Sequence, residues 1–398
     1  MVTNESYSTK TKIRPPEYDR YDRNYRILQK IICPLIKKRV DFSGDAIPDD
    51  LGPTFILCNH NTDFDFLLVA SQSRKTMDFV ATETMLRMGA IPNFFCRKFN
   101  VILHDKGSKG VGTIKQIRNR ISDGRNVLLF PEGNRSFDGR TGEVSEAIGG
   151  IVKMTGAALV VYRITGGYFT TPRWGKGIRK GKMKGTTEVL LSAEEVKKMP
   201  VKELQKLIED GLKTDAYSEQ EKNPIPFRSH NAAEYLESLL FICPECRNIT
   251  TLKSKRKVLS CGCGFRSAMD EYGYIIDEKG KKKSITELYS DQKRYLSEAV
   301  EGSGDSILWS DNVKLCRLMA DHNIAGEEQT KLTVFNDHMM IGLQRIDHEQ
   351  ISSIDIVRRN RLIIHVKNSD VRYEFTSDMT FNAVKYLLWY ELSAQKRR

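Results

Sequence analysis

Apolar and polar positions follow two distinct rhythms between residues 54 and 212. Runs of consecutive apolar residues predict buried strands, whereas apolar residues three or four positions apart predict amphipathic helices. The runs predict strands at 54–58, 77–81, 101–104, 126–130, 158–164 and 188–191. The helical spacing predicts helices at 65–71, 110–122, 149–155 and 201–212. Because the two kinds of element alternate, we predict a layered α/β domain over residues 25–212.

The chain beyond residue 212 has a different pattern. Residues 213–237 include two prolines and predict a linker, and 275–304 predicts a helical connector. Strand-like runs recur within 305–398, at 313–319, 331–335, 338–342, 361–366 and 371–375. A helical pattern at 381–392 ends this region, so we predict a mostly-β C-terminal domain with a closing helix. At the opposite end, residues 1–24 predict a polar arm.

Composition restricts the class of protein. The 398 residues are 40% hydrophobic and 29% charged, as in ordinary globular proteins. No apolar run approaches the roughly 18–20 residues that a membrane-spanning helix needs, and the first residues lack the apolar stretch of a secretory signal. We therefore expect a cytoplasmic protein. The net charge of +12 favours anionic partners such as phospholipid headgroups, phosphorylated small molecules or nucleic acid.

The stretch NHNTDFD, residues 59–65, places polar side chains between two apolar segments. On one continuous helix His60 and Asp65 would lie too far apart for a hydrogen bond, and Asp63 would be the natural partner. His60 and Asp65 can meet only if the chain turns between them, as where a strand leads into a helix. The alternative is that Thr62, Asp63 or Asp65 caps the helix that follows.

A second polar cluster, FPEGNRS, occupies residues 130–136 and again follows an apolar strand. A glycine lets the backbone approach a ligand closely, and an arginine can fork onto a phosphate. An ordinary turn with a surface arginine would have the same letters. Since ligands bind outside the strand ends of α/β sheets, two such clusters in one domain favour a binding site.

Together the two stretches resemble the glycerolipid acyltransferases, specifically the 1-acylglycerol-3-phosphate acyltransferases. The first motif of that family, Asn-His-x-(Ser/Thr)-x-x-Asp, is matched at Asn59, His60, Thr62 and Asp65. Its third motif, Phe-Pro-Glu-Gly-x-Arg-Ser, is matched at Phe130, Pro131, Glu132, Gly133, Arg135 and Ser136. The resemblance covers roughly residues 25–212.

The resemblance implies an enzyme in which His60 is the general base and Asp65 orients its imidazole. An acceptor hydroxyl would then attack an acyl thioester, either acyl-coenzyme A or an acyl-carrier protein. The acceptor would be a lysophospholipid, 1-acylglycerol-3-phosphate, giving phosphatidate. The same resemblance implies that the residues that bind the acceptor are Asn59, Thr62, Lys106, Glu132, Gly133, Arg135 and Ser136. The imidazole of histidine titrates near neutrality and can take a proton from an alcohol, so the chemistry is sound.

The chain departs from the family pattern at two positions. Lys106, in NVILHDK, stands where the second motif carries arginine, and Val161 stands where the fourth carries proline. Lysine keeps the charge but not the bidentate fork, so the identity of the acceptor depends on this position. The proposed catalytic pair is unaffected.

Two basic segments raise the question of membrane contact. Residues 25–40 combine apolar residues at helical spacing with flanking lysines and arginines, and Pro34 should break or kink this helix. Such a helix either packs on the domain or lies at a membrane surface. The stretch 172–185 has six basic residues and one tryptophan, which fits a solvated loop or an anionic bilayer surface. We predict peripheral association with the inner face of a membrane.

Four of the eight cysteines lie close together, at Cys243, Cys246, Cys261 and Cys263. Two tight pairs separated by a short hairpin can place four thiolates around a structural zinc ion. Residues 238–274 therefore predict a module that resembles a zinc ribbon. Its loop is basic, but a structural site needs no further role, and we do not expect nucleic acid as a partner.

The C-terminal domain resembles the pleckstrin-homology-like domains through its strand series and closing helix. The whole sequence is thus predicted to be a membrane-associated acyltransferase with a zinc ribbon and a binding domain attached. The alternative is a non-catalytic adaptor for lipid or nucleic acid that keeps the acyltransferase fold. The retained His60, Asp65 and Glu132 favour the enzyme, because a binding module does not require them.

Overall fold

The computed structural model describes residue 15 and residues 17–87, 89–104, 110–319, 324–369, 371–378 and 381–395. The described chain forms three β-sheets surrounded by helices.

The first sheet has seven strands and contains both polar motifs at its strand ends. Its strands are β1 (Phe42–Gly44), β2 (Thr54–Cys58), β3 (Met77–Thr82), β4 (Ile102–His104), β5 (Asn126–Leu129), β6 (Ala158–Thr165) and β7 (Met183–Leu191). They lie in the order β1-β7-β6-β2-β5-β3-β4, and β6 and β7 form the antiparallel pair. All five residues of β2 are buried, since four of them are apolar and the strand lies at the centre of the sheet.

Helices cover both faces of this sheet. They are α1 (Glu17–Ile27), α2 (Cys33–Arg39), α3 (Asp65–Ala70), α4 (Ala90–Lys98), α5 (Val111–Ser122), α6 (Ile148–Thr155), α7 (Gly167–Thr170), α8 (Ala193–Lys198) and α9 (Val201–Leu212), with a 3₁₀ turn at Glu83–Arg87. Successive side chains of a strand point to opposite faces. Ile56 of β2 accordingly packs in one core with α1–α3, while Phe55 packs in a second core with α5, α6 and α9.

The N-terminal helical segment follows the predicted pattern with two differences. It begins at Glu17, inside the predicted polar arm, because Tyr18 is buried and its hydroxyl donates to Asp123 at 2.9 Å. It also continues past Pro34, and a π-helical turn at Leu28–Ile32 precedes this proline. Proline lacks an N–H and crowds the carbonyl four residues earlier, and the wider turn immediately before it accommodates both.

The second sheet lies in the cysteine module. Its antiparallel strands are β8 (Leu252–Lys255), β9 (Val258–Cys261), β10 (Arg266–Met269), β11 (Ile275–Asp277) and β12 (Lys282–Lys283), in the order β12-β11-β10-β9-β8. Before it come α10 (Ala216–Lys222) and a 3₁₀ turn at Leu236–Ser238, and after it comes α11 (Ile285–Gly302).

The third sheet is antiparallel and has seven strands. They are β13 (Trp309–Leu318), β14 (Ile324–Val334), β15 (His338–Ile341), β16 (Gln344–Asp347), β17 (Ile351–Val357), β18 (Arg361–Val366) and β19 (Arg372–Thr376), in the order β16-β15-β14-β13-β19-β18-β17. A 3₁₀ turn at His348–Gln350 precedes β17, and α12 (Val384–Gln395) ends the described chain. The predicted fold class, an α/β domain followed by a mostly-β region, is confirmed.

One hydrophobic core joins the cysteine module to the third sheet. It also takes in Tyr168, Phe169 and Trp174 from the segment between β6 and β7. The stretch 213–237, predicted as a linker, contributes α10 and the buried Phe227 to this core. The predicted domain boundaries stay a prediction, and in the fold the three sheets pack as neighbours.

Candidate active site

The turn between β2 and α3 brings His60 to Asp65. The imidazole Nδ1 lies 3.0 Å from the Asp65 carboxylate Oδ2. Asp63 instead pairs with Arg135, at 2.8 Å, and its side chain is 77% exposed. The predicted contact of His60 with Asp65 is therefore confirmed. Asp63 does not cap α3, because the cap position is Phe64 and carries no side-chain cap.

The Asp65 carboxylate is completely buried and is surrounded by donors from its own turn. Oδ2 accepts from the backbone N–H of Asn61 at 2.7 Å and of Thr62 at 2.8 Å. Oδ1 accepts from the Thr62 hydroxyl at 2.5 Å. A buried charge is tolerated only where hydrogen bonds replace water, so these donors fix the carboxylate beside the imidazole.

Glu132 links the third motif to the first. One carboxylate oxygen accepts from the backbone N–H of His60 at 2.8 Å, and the other accepts from Gly142 at 2.7 Å. Burial raises the pKa of Glu132 to about 7, and the charge of Asp65 acts in the same direction, while the two backbone hydrogen bonds oppose it. The His60 ring also stacks on Phe130, with 4.4 Å between centroids.

Several residues predicted to bind substrate make hydrogen bonds that fix the conformation of the two loops. The Asn59 amide exchanges hydrogen bonds with the backbone of Ile164, at 2.9 and 2.7 Å, which extends the contact between β2 and β6. Ser136 is buried; its hydroxyl donates to the Arg140 carbonyl at 2.6 Å and accepts from the Gly139 N–H at 2.9 Å. Thr62 contacts Asp65, as described above.

Arg135 bridges the first motif and the segment after α7. Its guanidinium donates to the Asn61 carbonyl at 2.9 Å and to the carbonyl of Thr171. Gly133 adopts φ 65°, a conformation that glycine reaches at no steric cost. Lys106 lies outside the described residues. Substrate binding by these residues stays a prediction.

Sequence reasoning missed Arg173, which connects the third motif to the third sheet. Its guanidinium donates to the Arg135 carbonyl at 3.2 Å, to the Arg358 carbonyl at 3.4 Å and to the carbonyl of Ile356. It also lies over the Phe137 ring, 4.1 Å from the centroid. Burial and the neighbouring Arg135 lower the pKa of Arg173 to about 9. Nothing in the local sequence distinguishes this arginine from the other basic residues around it.

The stretch 172–185 differs from the predicted bilayer or solvated loop. Trp174 is only 3% exposed and belongs to the large core. Arg179 is also buried; it stacks over Trp174 and donates to the Ala232 carbonyl at 2.5 Å. The reason is that these basic side chains supply donors to carbonyls from distant segments. The lysines of the stretch remain exposed.

The four clustered cysteines meet in space as predicted, and the group could hold a metal ion. Their sulfur atoms lie within 4.8 Å of one another, with 3.7 Å between Cys243 and Cys263 and 3.8 Å between Cys246 and Cys261. Tetrahedral coordination at the usual zinc–sulfur distance of about 2.3 Å would separate the sulfurs by about 3.8 Å. The donor set and the spacing therefore fit zinc.

Comparison with known proteins bears on the first sheet. Residues 39–165 match the family model described as Acyltransferase, and this range includes both polar motifs. The match spans about a third of the chain, and that part is similar to acyltransferases. The resemblance drawn from the motifs is thereby confirmed. Within the matched residues the His60 imidazole contacts the Asp65 carboxylate, and the Glu132 carboxylate accepts a hydrogen bond from the backbone N–H of His60. No curated protein matches the chain by sequence.

Solved structures resemble parts of the chain. The 1-acyl-sn-glycerophosphate (LPA) acyltransferase PlsC from Thermotoga maritima is 19% identical and covers 53% of this chain and 85% of its own, with a TM-score of 0.43. The C-terminal domain of an unknown protein from Leishmania infantum is 11% identical and covers 22% of this chain and 84% of its own, with a TM-score of 0.15. A structure of the Vav1 exchange factor is 7% identical and covers 27% of this chain and 34% of its own, with a TM-score of 0.17.

Proposed function

We propose that the protein transfers a fatty acyl group from an acyl thioester to the hydroxyl of a lysophospholipid. The acceptor is 1-acylglycerol-3-phosphate and the product is phosphatidate. The proposal rests on one observation: within the matched acyltransferase residues, His60 faces the buried Asp65 at 3.0 Å. That arrangement suits general-base catalysis on an alcohol.

In this mechanism Nδ1 of His60 carries a proton and donates it in a hydrogen bond to Asp65. Nε2 then has a free lone pair, and the side chain is 23% exposed, so an acceptor hydroxyl can reach it. The hydroxyl gives its proton to Nε2 as its oxygen attacks the thioester carbonyl carbon. When the tetrahedral intermediate collapses, the carbon–sulfur bond breaks and the leaving thiolate takes the proton back from the imidazolium. Asp65 stabilises the transient positive charge on the ring.

The donor is acyl-coenzyme A or an acyl-carrier protein, and both are thioesters. Glu132 positions His60 through the backbone, and Arg135 together with Lys106 contributes positive charge for the acceptor phosphate. Asn59, Thr62, Gly133 and Ser136 shape the loop that receives the acceptor. Zinc held by the four cysteines has a structural role in this proposal.

Attachment to the membrane is peripheral in this proposal, at the inner, cytoplasmic face. None of the helices in the described part of the chain combines the length and apolarity needed to cross a bilayer. The N-terminal helical segment instead exposes an apolar row: Ile27 is 51% exposed, Ile31 55% and Leu35 61%. These residues are four positions apart and share one face, and basic residues flank them. Such a face supports insertion at the boundary of headgroups and acyl chains.

The decisive experiment is acyl transfer by the purified full-length protein with a panel of acceptors and both donor types. We expect transfer to 1-acylglycerol-3-phosphate, and loss of all transfer in a His60→Ala variant that melts like the wild type. An active His60→Ala variant would overturn the mechanism. Absence of transfer from either donor to every lysophospholipid would favour the non-catalytic adaptor.

A further inference from the structure

A basic groove runs along the outer face of the cysteine module and encloses about 1210 Å³. Most of the residues that line it lie on β8, β9 and β10 or in the turn between β8 and β9. In the register of these strands, Lys253 lies opposite Ser260, which in turn lies opposite Arg266. In the next row, Lys255 lies opposite Val258. The groove thus has small side chains along its centre and cations on both sides.

The positive charge of the groove is only partly compensated, by Glu278 and by Glu234, whose carboxylate accepts from the backbone N–H of Arg256 at 2.6 Å. Lys253, Lys255 and Lys257 are exposed, and in the described part of the chain no carboxylate lies within ion-pair distance of them. Arg266 has an acidic partner in Glu278 at 3.8 Å, but this pair is more than half exposed and therefore weak. Like charges this close repel one another, and an anion in the groove would relieve that repulsion.

The groove is structurally continuous with the acyltransferase domain. The Arg256 carbonyl at the tip of the β8–β9 hairpin accepts from the N–H of Ala233 at 2.7 Å. A few residues earlier, Arg228 and Lys180 exchange two backbone hydrogen bonds, at 2.7 and 2.9 Å. Backbone hydrogen bonds therefore link the groove to the segment that carries the exposed lysines of 176–184.

The same segment is hydrogen-bonded to the chain just after the helix with the exposed apolar row. The Met183 N–H donates to the carbonyl of Asp41 at 3.1 Å, and Asp41 lies two residues beyond the end of α2. Lys180, Lys182 and Lys184 are exposed along this path. The basic segment 176–184 is therefore linked through backbone hydrogen bonds both to the strand that follows α2 and to the segment that contacts the groove.

The groove is rich in cations but has almost no aromatic surface, and this composition favours phosphate groups over stacked bases as its ligand. Of the residues that line it, His230 is the single one with a ring. Proteins that bind single-stranded nucleic acid use aromatic side chains as stacking platforms, whereas phosphate groups need only cations. We propose that the groove binds the headgroups of anionic phospholipids, making the cysteine module a second membrane contact beside the N-terminal helix. This inference rests on the peripheral attachment proposed above.

The test measures binding of the full-length protein to sedimented vesicles, with no turnover involved. Vesicles of phosphatidylcholine alone are compared with vesicles that also contain phosphatidylglycerol, at low and high salt. The groove variant carries Lys253→Ser, Lys255→Ser and Lys257→Ser. The control variant carries Lys197→Ser, Lys202→Ser and Lys206→Ser, three exposed lysines on α8 and α9, on the opposite side of the first sheet from α1 and α2.

Since a basic residue near an anionic surface strengthens binding roughly fivefold, the groove variant should bind anionic vesicles at least about tenfold more weakly at low salt. The control variant should bind like the wild type, and high salt should narrow the difference. Unchanged binding of the groove variant, or an equal loss in the control, would overturn the proposal. Weaker binding to duplex RNA with unchanged binding to vesicles would assign the groove to nucleic acid instead.

Two further variants separate this proposal from the proposed function. His60→Ala should bind vesicles like the wild type. The vesicle-binding result can therefore be judged even if the proposed acyltransferase mechanism is wrong. A variant with Ile31→Ser and Leu35→Ser tests the attachment of the helix itself. If that variant loses binding while the groove variant keeps it, attachment stands and the groove proposal falls.

Discussion

The turn that carries His60 and the cysteine cluster each bring polar side chains together, but they differ in which groups stabilise those side chains. In the turn, the Asp65 carboxylate receives hydrogen bonds from two backbone N–H groups and a hydroxyl, and Glu132 receives two more from the backbone. Protein donors therefore satisfy both buried acids. The arrangement needs no ligand to be stable.

The cysteine cluster also receives hydrogen bonds, among them bonds from the backbone of Cys246 and Phe265, but these do not separate sulfur atoms that lie side by side. Four sulfur atoms lie within 4.8 Å of one another, and Thr251 lies 3.2 Å from the sulfur of Cys261. Ionised thiolates this close repel strongly unless a cation lies between them, and a metal provides that cation. The comparison teaches that removing a charge from the turn should impair chemistry and leave the fold, whereas removing a ligand from the cluster should impair the fold.

The sharpest test of this difference substitutes the two aspartates of the turn. Asp65→Asn removes the charge that supports the imidazolium, so acyl transfer should fall by on the order of a hundredfold or more. Asp63→Asn should lower transfer only a few-fold, because Asp63 is exposed and contacts Arg135 rather than His60. Steady-state rates and thermal unfolding of both variants provide the measurement. Should Asp63→Asn be the inactive variant, Asp65 would be the wrong partner for His60.

The second prediction concerns the cysteine cluster and should affect stability first. The purified protein should contain about one equivalent of zinc. A Cys243→Ser, Cys246→Ser variant should lose the metal and become sensitive to proteolysis within 238–274, since zinc supplies much of the folding free energy of small modules. A Cys33→Ser, Cys96→Ser variant, which changes two buried thiols elsewhere, should keep the zinc. Wild-type protein that is free of metal and fully folded would contradict the prediction.

Local pattern predicted the elements that surround the site with good accuracy. The apolar run at 54–58 coincides with β2, and the helical spacing at 201–212 coincides with α9. Each of these elements carries the apolar positions that bury it, so the pattern of apolar residues is enough to predict it. The family resemblance selected Asp65 rather than Asp63 as the partner of His60, and the end of β2 supplies the turn that this contact requires.

Features that depend on distant partners could not be predicted in this way. The strand β1 has only three residues and exists because it pairs with β7, about 140 residues later. Arg173 and Arg179 are in a basic stretch that resembles a solvated loop, and only the fold shows that carbonyls of Ile356 and Ala232 accept their hydrogen bonds. The polar strand β16 was missed since it lacks an apolar run.

The third prediction extends the comparison to Arg173, which links the acyltransferase motif to the third sheet. Arg173→Ala removes three hydrogen bonds to carbonyls, one of them in the loop of Glu132 and Arg135. We expect kcat to fall about tenfold with a smaller change in KM for the acyl donor, since the residue positions the loop without touching the donor. Arg173→Lys should restore only part of the rate, because an ammonium group lacks the planar fork. Unchanged kcat in both variants would show that the third sheet does not influence the site.

The last and smallest predicted effect is the pH dependence of stability caused by Glu132. Its folded-state pKa is raised from the usual 4.5 to about 7, so the folded protein holds this proton more tightly than the unfolded chain does. The contribution of Glu132 to stability is therefore full below about pH 4.5 and is lost as the pH rises through about 7. A tenfold change in proton affinity corresponds to about 1.4 kcal/mol, and partial exposure reduces the total contribution to on the order of 1–3 kcal/mol.

Glu132→Gln removes this titration. The midpoint of thermal unfolding of the wild type, relative to that of the variant, should therefore decrease from pH 5 to pH 8. Glu219→Gln is the matched control, because burial also raises the pKa of Glu219 to about 7 while Glu219 lies in α10, away from the His60 turn. Both substitutions should flatten the stability profile, and only Glu132→Gln should also lower acyl transfer, since its amide would direct N–H donors at the backbone N–H of His60 or Gly142. If Glu132→Gln leaves the profile unchanged while Glu219→Gln flattens it, then the two backbone hydrogen bonds outweigh burial and Glu132 stays ionised throughout this range.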